Sequence, residues 1–87
     1  MGVDNSFEKL REAVRDCFSK GLNSSAIFFA DKLYTLTKDT DDLHLLGESY
    51  YRDRQFKRAR HLLEKVSNFK TNLKLLYLAA KCAVCNI

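Results

Sequence analysis

The residues of this chain best suited to chemistry are its thiols and imidazoles. Cys82 and Cys85 are separated by two residues, the spacing that sets two side chains on one face of a helix. Thiolates so placed can share a metal ion or cycle between dithiol and disulfide. Neither chemistry finds its remaining parts. A structural zinc site takes four ligands, and Cys17, His44 and His61 stand in no ligand spacing with the pair. A redox pair needs a strand–loop–helix setting, whereas the run LLYLAAKCAVC around these cysteines reads as helix. The better reading is small buried thiols. His44 and His61 lie among Leu and Arg residues without an adjacent nucleophile or carboxylate pair, and Ser24-Ser25 lacks the glycines of a nucleophile elbow. No Gly-rich phosphate loop occurs. The expectation is a protein that is not an enzyme and uses no cofactor or metal, so its function is to be sought in binding.

Composition narrows the elements that carry these residues. Eighty-seven residues with no Pro and three Gly make one small domain, and argue against both disorder and an all-β build. Three Cys, an odd number without a signal peptide, point to a reducing, intracellular compartment. The N-terminus MGVDNSFEKLR has no apolar core of a signal sequence. Gly2 with Ser6 meets the myristoylation pattern only superficially, because no second membrane signal follows. No apolar run approaches the ~18 residues of a membrane span.

The net charge of +4 is localised. Between Arg52 and Lys65 stand six cations (Arg52, Arg54, Lys57, Arg58, Arg60, Lys65) against Asp53 and Glu64. Such a patch can attract acidic or phosphorylated protein segments or nucleic acid, or be a solvated helix face. The solvated face is the simpler reading.

Helical periodicity runs through the chain. Phe7, Leu10, Ala13, Val14, Cys17 and Phe18 recur at steps of three and four, with Asn5 or Ser6 as cap and Gly21 placed to end the helix. Ala26, Ile27, Phe29, Ala30, Leu33, Tyr34 and Leu36 form a second apolar face, capped by Asn23 or Ser24. The clearest stretch is Asp41–Val66. Counted from Thr40 as position 1, Leu43, Leu46, Gly47, Tyr50, Ala59, Leu63 and Val66 fall at positions 4, 7, 8, 11, 20, 24 and 27. That is the spacing of the tetratricopeptide repeat, a helical hairpin of about 34 residues. Small residues at 8 and 20 let the two helices approach, and larger ones fill the space around them. Leu43 replaces the usual Trp, Leu63 the Phe, Val66 an Ala and Thr71 a Pro.

The template also fits one unit earlier. With Phe7 as position 1, it selects Leu10, Ala13, Val14 and Cys17, then Ala26, Ala30 and Leu33. Thr40 is expected to cap the first helix of the clear repeat. Its second helix is expected to start at Phe56 and end near Ser67-Asn68. One unit later the template selects Tyr77, Ala80, Lys81 and Val84. The predicted fold is therefore all-α, about five antiparallel helices of a right-handed solenoid fragment. It divides into a divergent repeat (6–38), a clear repeat (40–71) and the first helix of an interrupted third (74–87). An interrupted repeat leaves an apolar face open, so a longer array or a partner is expected to cover it.

In such a stack the first helices line a concave face, with positions 5, 9 and 12 turned into it. These are Arg11, Arg15 and Phe18, then His44, Glu48 and Tyr51, then Leu78, Cys82 and Cys85. Cations, aromatics and apolar groups so mixed suit a helix or extended peptide laid along the groove.

Longer matches add to the spacing. Leu10–Leu33, with Ser-Ala-Ile-Phe-Phe-Ala-Asp-Lys at Ser25–Lys32, together with Gln55–Ala59, His61–Leu63 and Tyr77–Cys82, resembles the tetratricopeptide scaffold subunits of the anaphase-promoting complex, the cyclosome ubiquitin ligase. The likeness is greatest to the N-terminus of its sixth subunit. Leu33-Tyr34 and Tyr50-Tyr51-Arg52 are more similar to its paralogous third subunit. The resemblance implies a non-catalytic scaffold in ubiquitin-dependent control of cell division, present in nucleus and cytoplasm. It implies homodimerisation through N-terminal repeats, each lodged in the other's groove, and contacts with other subunits of the assembly. No small-molecule substrate and no membrane are expected, and nucleic acid is the weaker alternative, because acidic residues interleave the basic segment and no aromatic stacking array accompanies it.

Overall fold

The computed structural model describes residues 5–66 and 71–85. It contains five α-helices: α1 (Asn5–Lys20), α2 (Asn23–Thr37), α3 (Thr40–Arg52), α4 (Phe56–Glu64) and α5 (Leu73–Cys85). No strand occurs among the described residues. Each helix packs chiefly on its neighbours in sequence, and α3 also touches α1 and α5. The result is a thin slab, 43 × 29 × 16 Å, with α1, α3 and α5 in one layer and α2 and α4 backing them.

The turns show why the helices stop where they do. Gly21 takes φ 72°, its N–H donates to the Phe18 carbonyl (3.2 Å), and the Leu22 N–H donates to that of Cys17 (2.9 Å). This paired closure needs a left-handed residue, which glycine supplies without a Cβ clash. Two expected caps differ. Residue Leu22 precedes α2 and offers no side-chain cap, while Asn23 instead donates its amide to the Arg52 carbonyl (3.2 Å). For α3 the cap is Asp39, whose carboxylate accepts the Asp41 N–H at 2.8 Å; Thr40 is already helical. Residue Asp39 reaches back where Thr40 cannot, because its backbone is still extended. Helix α4 ends at Glu64, earlier than expected, and Ser67-Asn68 lie outside the described residues.

Two apolar clusters hold the stack. Val14, Cys17, Ala26, Ala30 and Leu46 form the first, and Leu63, Leu75, Leu78 and Ala79 the second. Gly47 sits where the second closes. A Cβ there would lie 3.0 Å from Leu63 Cδ2 and 3.3 Å from Leu78 Cδ2, so glycine lets α3 approach both neighbours.

Helix α5 corrects the expected register. Tyr77 and Val84, assigned to packing, are 70% and 69% exposed, and Ala80 is exposed as well. The residues buried are Leu75, Leu78, Ala79 and Cys82, with the same internal spacing two positions earlier. Asn72 fixes this start, its carboxamide oxygen accepting the N–H groups of Lys74 (3.1 Å) and Leu75 (3.3 Å).

Candidate partner-binding surface

The register decides which residues can face a partner. Leu78 and Cys82, expected in the groove, are 2% and 0% exposed and belong to the core between α3, α4 and α5. Their places on the open side of α5 pass to Leu76, Ala80 and Ala83, half-buried or exposed. The side chain of Cys85 lies outside the described residues. Cys17 is also buried.

The other expected groove residues sit at the seams between successive first helices. Arg11 reaches from α1 to the start of α3. Its Nε donates to Asp42 Oδ1 (2.8 Å) and its Nη2 to Oδ2 (2.9 Å), while the Thr37 hydroxyl donates to Oδ2 (2.6 Å). This fork binds the two oxygens of a carboxylate at once. Burial alone pushes the Asp42 carboxyl up, but hydrogen bonds from Arg11 and Thr37, with the Arg11 charge, outweigh it and hold the group below its usual value. The hydrogen bond to Asp42 correspondingly raises Arg11. Further along this seam the Arg52 guanidinium lies over the Phe18 ring, 4.2 Å from its centroid, and is held there by Glu48 (3.0 Å). Arg15 is exposed and pairs with Glu8 at 3.6 Å.

Between α3 and α5 a cation is set over aromatic rings. Lys81 Nζ lies 4.8 Å from the centre of the Tyr51 ring and 5.4 Å from that of Tyr77, and Tyr51 meets Phe56 edge-on at 5.5 Å. His44 is half-buried. Its burial, followed by the charges of Lys74 and Lys81, outweighs the nearby Glu48 and Asp41 and lowers its pKa. The surface thus offers Arg15, the edge of Phe18, Glu48, Tyr51 and the exposed Tyr77: three rings with one cation and one carboxylate.

The repeat-packing residues lie between the helices. Leu43, Leu46, Ala59 and Leu63 are essentially buried, while Tyr50 and Val66 are half-buried against the two clusters. The basic segment is divided by the fold. Arg52 belongs to the α1–α3 seam and Arg60 pairs with Glu64 (3.0 Å), leaving Arg54, Lys57, Arg58 and Lys65 exposed around α4. Residue spacing gave no sign of Asp42 as the buried acceptor for Arg11. Its partner stands 31 positions away, and no local pattern links them.

Successive helical hairpins, small residues at their crossings and a first-helix surface of mixed rings and charges define a tetratricopeptide-type repeat protein. Residues 19–85 match the family model described as anaphase-promoting complex, cyclosome, subunit 3, and the chain belongs to that family. It is 46% identical over 79 residues to anaphase-promoting complex subunit 6 of Arabidopsis thaliana, covering 91% of this chain. The cell division cycle protein 16 homolog of Homo sapiens is 33% identical over 88% of this chain, and the anaphase-promoting complex subunit CDC16 of Saccharomyces cerevisiae 31% identical over 85%. The chain spans only 14%, 13% and 9% of the lengths of these three relatives. No helix among the described residues is long and apolar enough to cross a membrane.

Proposed function

We propose that this chain is an N-terminal, self-associating part of an anaphase-promoting complex scaffold subunit, non-catalytic and acting in nucleus and cytoplasm. The observation that carries the reading is its likeness over 91% of its length to a much longer subunit named for that complex. Such a segment contributes surface rather than chemistry. The surface is available: Phe28 and Leu36 on α2 and Tyr77 and Val84 on α5 are each more than half exposed, an excess of large apolar groups that marks interaction faces. Arg15, Phe18, Glu48 and Tyr51 then supply the recognition side chains along the first-helix layer, with homodimerisation as their first role and other subunits of the assembly as neighbours.

Light scattering or sedimentation equilibrium tests this directly. A dimer that dissociates on dilution is expected. Tyr77→Glu, at a position 70% exposed, should weaken association without altering the helical circular dichroism. A monomer at every concentration would overturn the self-association.

A further inference from the structure

The unpaired cations lie away from the first-helix surface, and we propose that the outer face of α4 is a docking site for an acidic segment of another protein. Lys57, His61 and Lys65 recur every four residues along α4 and its C-cap and form a ridge about 12 Å long. A hollow opens on either side of this ridge. One, of about 480 Å³, is lined by the ridge residues with Tyr50, Arg58 and Leu62; the other, of about 390 Å³, adds Phe56, Arg60, Glu64 and Cys82 to them.

The first hollow has a built character. Tyr50 and Leu62 are half-buried and packed against the core, so they make a fixed apolar floor. Arg58 lies over the Tyr50 ring at 5.7 Å from its centroid, and Lys57 and Lys65 stand at the rim. Within α4 only Glu64 is acidic, and Arg60 holds it; Asp53, just before the helix, accepts the Gln55 carboxamide N–H at 2.6 Å. Arg54, Lys57, Arg58 and Lys65 form no ion pair among the described residues. Helix α4 also begins without an acidic residue or a side-chain cap, so its terminal dipole adds to the same positive field.

An apolar floor with a cationic rim fits a peptide whose aromatic or aliphatic side chain is flanked by Asp and Glu. The charges steer the encounter and fix the register, and the floor holds the anchor. Nucleic acid is the poorer fit. The cations are confined to one short helix rather than tracking a backbone, and this face offers no exposed ring on which a base can stack. Nothing in the proposed self-association uses this face, so the two readings stand or fall separately.

The test is fluorescence anisotropy on the 87-residue chain with a labelled peptide of roughly a dozen residues, a central Phe flanked by Glu and Asp. A Gln/Asn counterpart of the peptide and a single-stranded oligothymidylate serve as comparison probes. Salt-sensitive binding of the acidic peptide is expected, reduced at least about tenfold by Lys57→Glu with Arg58→Glu and Lys65→Glu. The milder Lys57→Gln, Arg58→Gln, Lys65→Gln variant should show the same loss with an unchanged melting curve and unchanged dimer. Equal binding to wild type and the Gln variant, equal binding of the Gln/Asn peptide, or tighter binding of the oligothymidylate would each overturn the proposal. So would no detectable binding of the acidic peptide at low salt.

Discussion

The two seams along the first-helix layer are closed by different chemistry. Between α1 and α3 the joint is a buried charge: Asp42, essentially without exposure, gripped by Arg11 and Thr37. Between α3 and α5 the joint is apolar. Gly47 opens a space that Leu63 and Leu78 fill, and the charged contact at its margin, Lys74 to Asp41, is 3.9 Å long between side chains more than two-thirds exposed. A repeat template thus specifies where helices cross, and leaves each seam free to be closed by a specific, directional bond or by unspecific apolar area. The first is costly to leave half-made, and the second is tolerant of charge changes and intolerant of polarity in its core.

Leu78→Glu should produce the largest effect. The side chain is 2% exposed and lies among Leu63, Leu75 and Ala79, so a carboxylate there has neither water nor a partner. A loss of more than about 4 kcal/mol is expected, enough to detach α5. Circular dichroism should record lower helicity and urea melts a lower midpoint. Tyr77→Glu, one residue away, should leave both nearly unchanged. If the two variants behaved alike, the register assigned to α5 would be wrong.

Arg11→Ala comes next, at about 3 kcal/mol, because it strands a buried carboxylate. Replacing both partners, Arg11→Met with Asp42→Leu, should recover most of that loss, since an apolar seam of similar volume needs no counter-charge. The first seam also carries a pH signature. The folded Asp42 carboxyl is held below its ordinary value, so the unfolded chain binds the proton more readily. Its contribution is complete above the unfolded value of about 4 and disappears as the pH falls through the lower folded value. Acid melts of the wild type should show this loss, and the Met/Leu pair should flatten that part of the profile. An Arg11→Ala variant as stable as wild type would mean that Thr37 alone satisfies Asp42.

The sequence made the core of the first four helices legible because spacing and residue size agree there: Ala26, Ala30, Leu33, Leu43, Leu46, Ala59 and Leu63 are all buried, and Gly47 stands at a close approach. It misled in α5 for a physical reason. The run LLYLAAKCAVC is apolar almost all round, so a two-residue shift exchanges one apolar set for another and periodicity cannot choose between them. The choice is marked by Asn72, which caps the helix. The candidate surface was less legible than the core. Phe18 and Tyr51 were read as open to a groove, yet Arg52 and Lys81 lie over their rings, contacts that only tertiary structure brings together.

The smallest effect separates the seams most sharply. Lys74→Ala removes an ion pair that is solvated on both sides and stretched to 3.9 Å, so stability should change by no more than about 0.5 kcal/mol and should not depend on salt beyond that. A loss near that of Arg11→Ala would show that the second seam also relies on charge. The substitution still has a visible consequence. His44 titrates below its ordinary range, first because it is buried, and in part because the Lys74 cation opposes a second positive charge. Without Lys74 the His44 value should rise, while remaining depressed by burial. Proton NMR of the imidazole follows this directly. Because the folded value lies below the unfolded one, near 6.5, His44 contributes stability above that pH and loses it as the pH falls through the folded value. Lys74→Ala should narrow that interval without removing it, a shift in titration with almost no shift in melting.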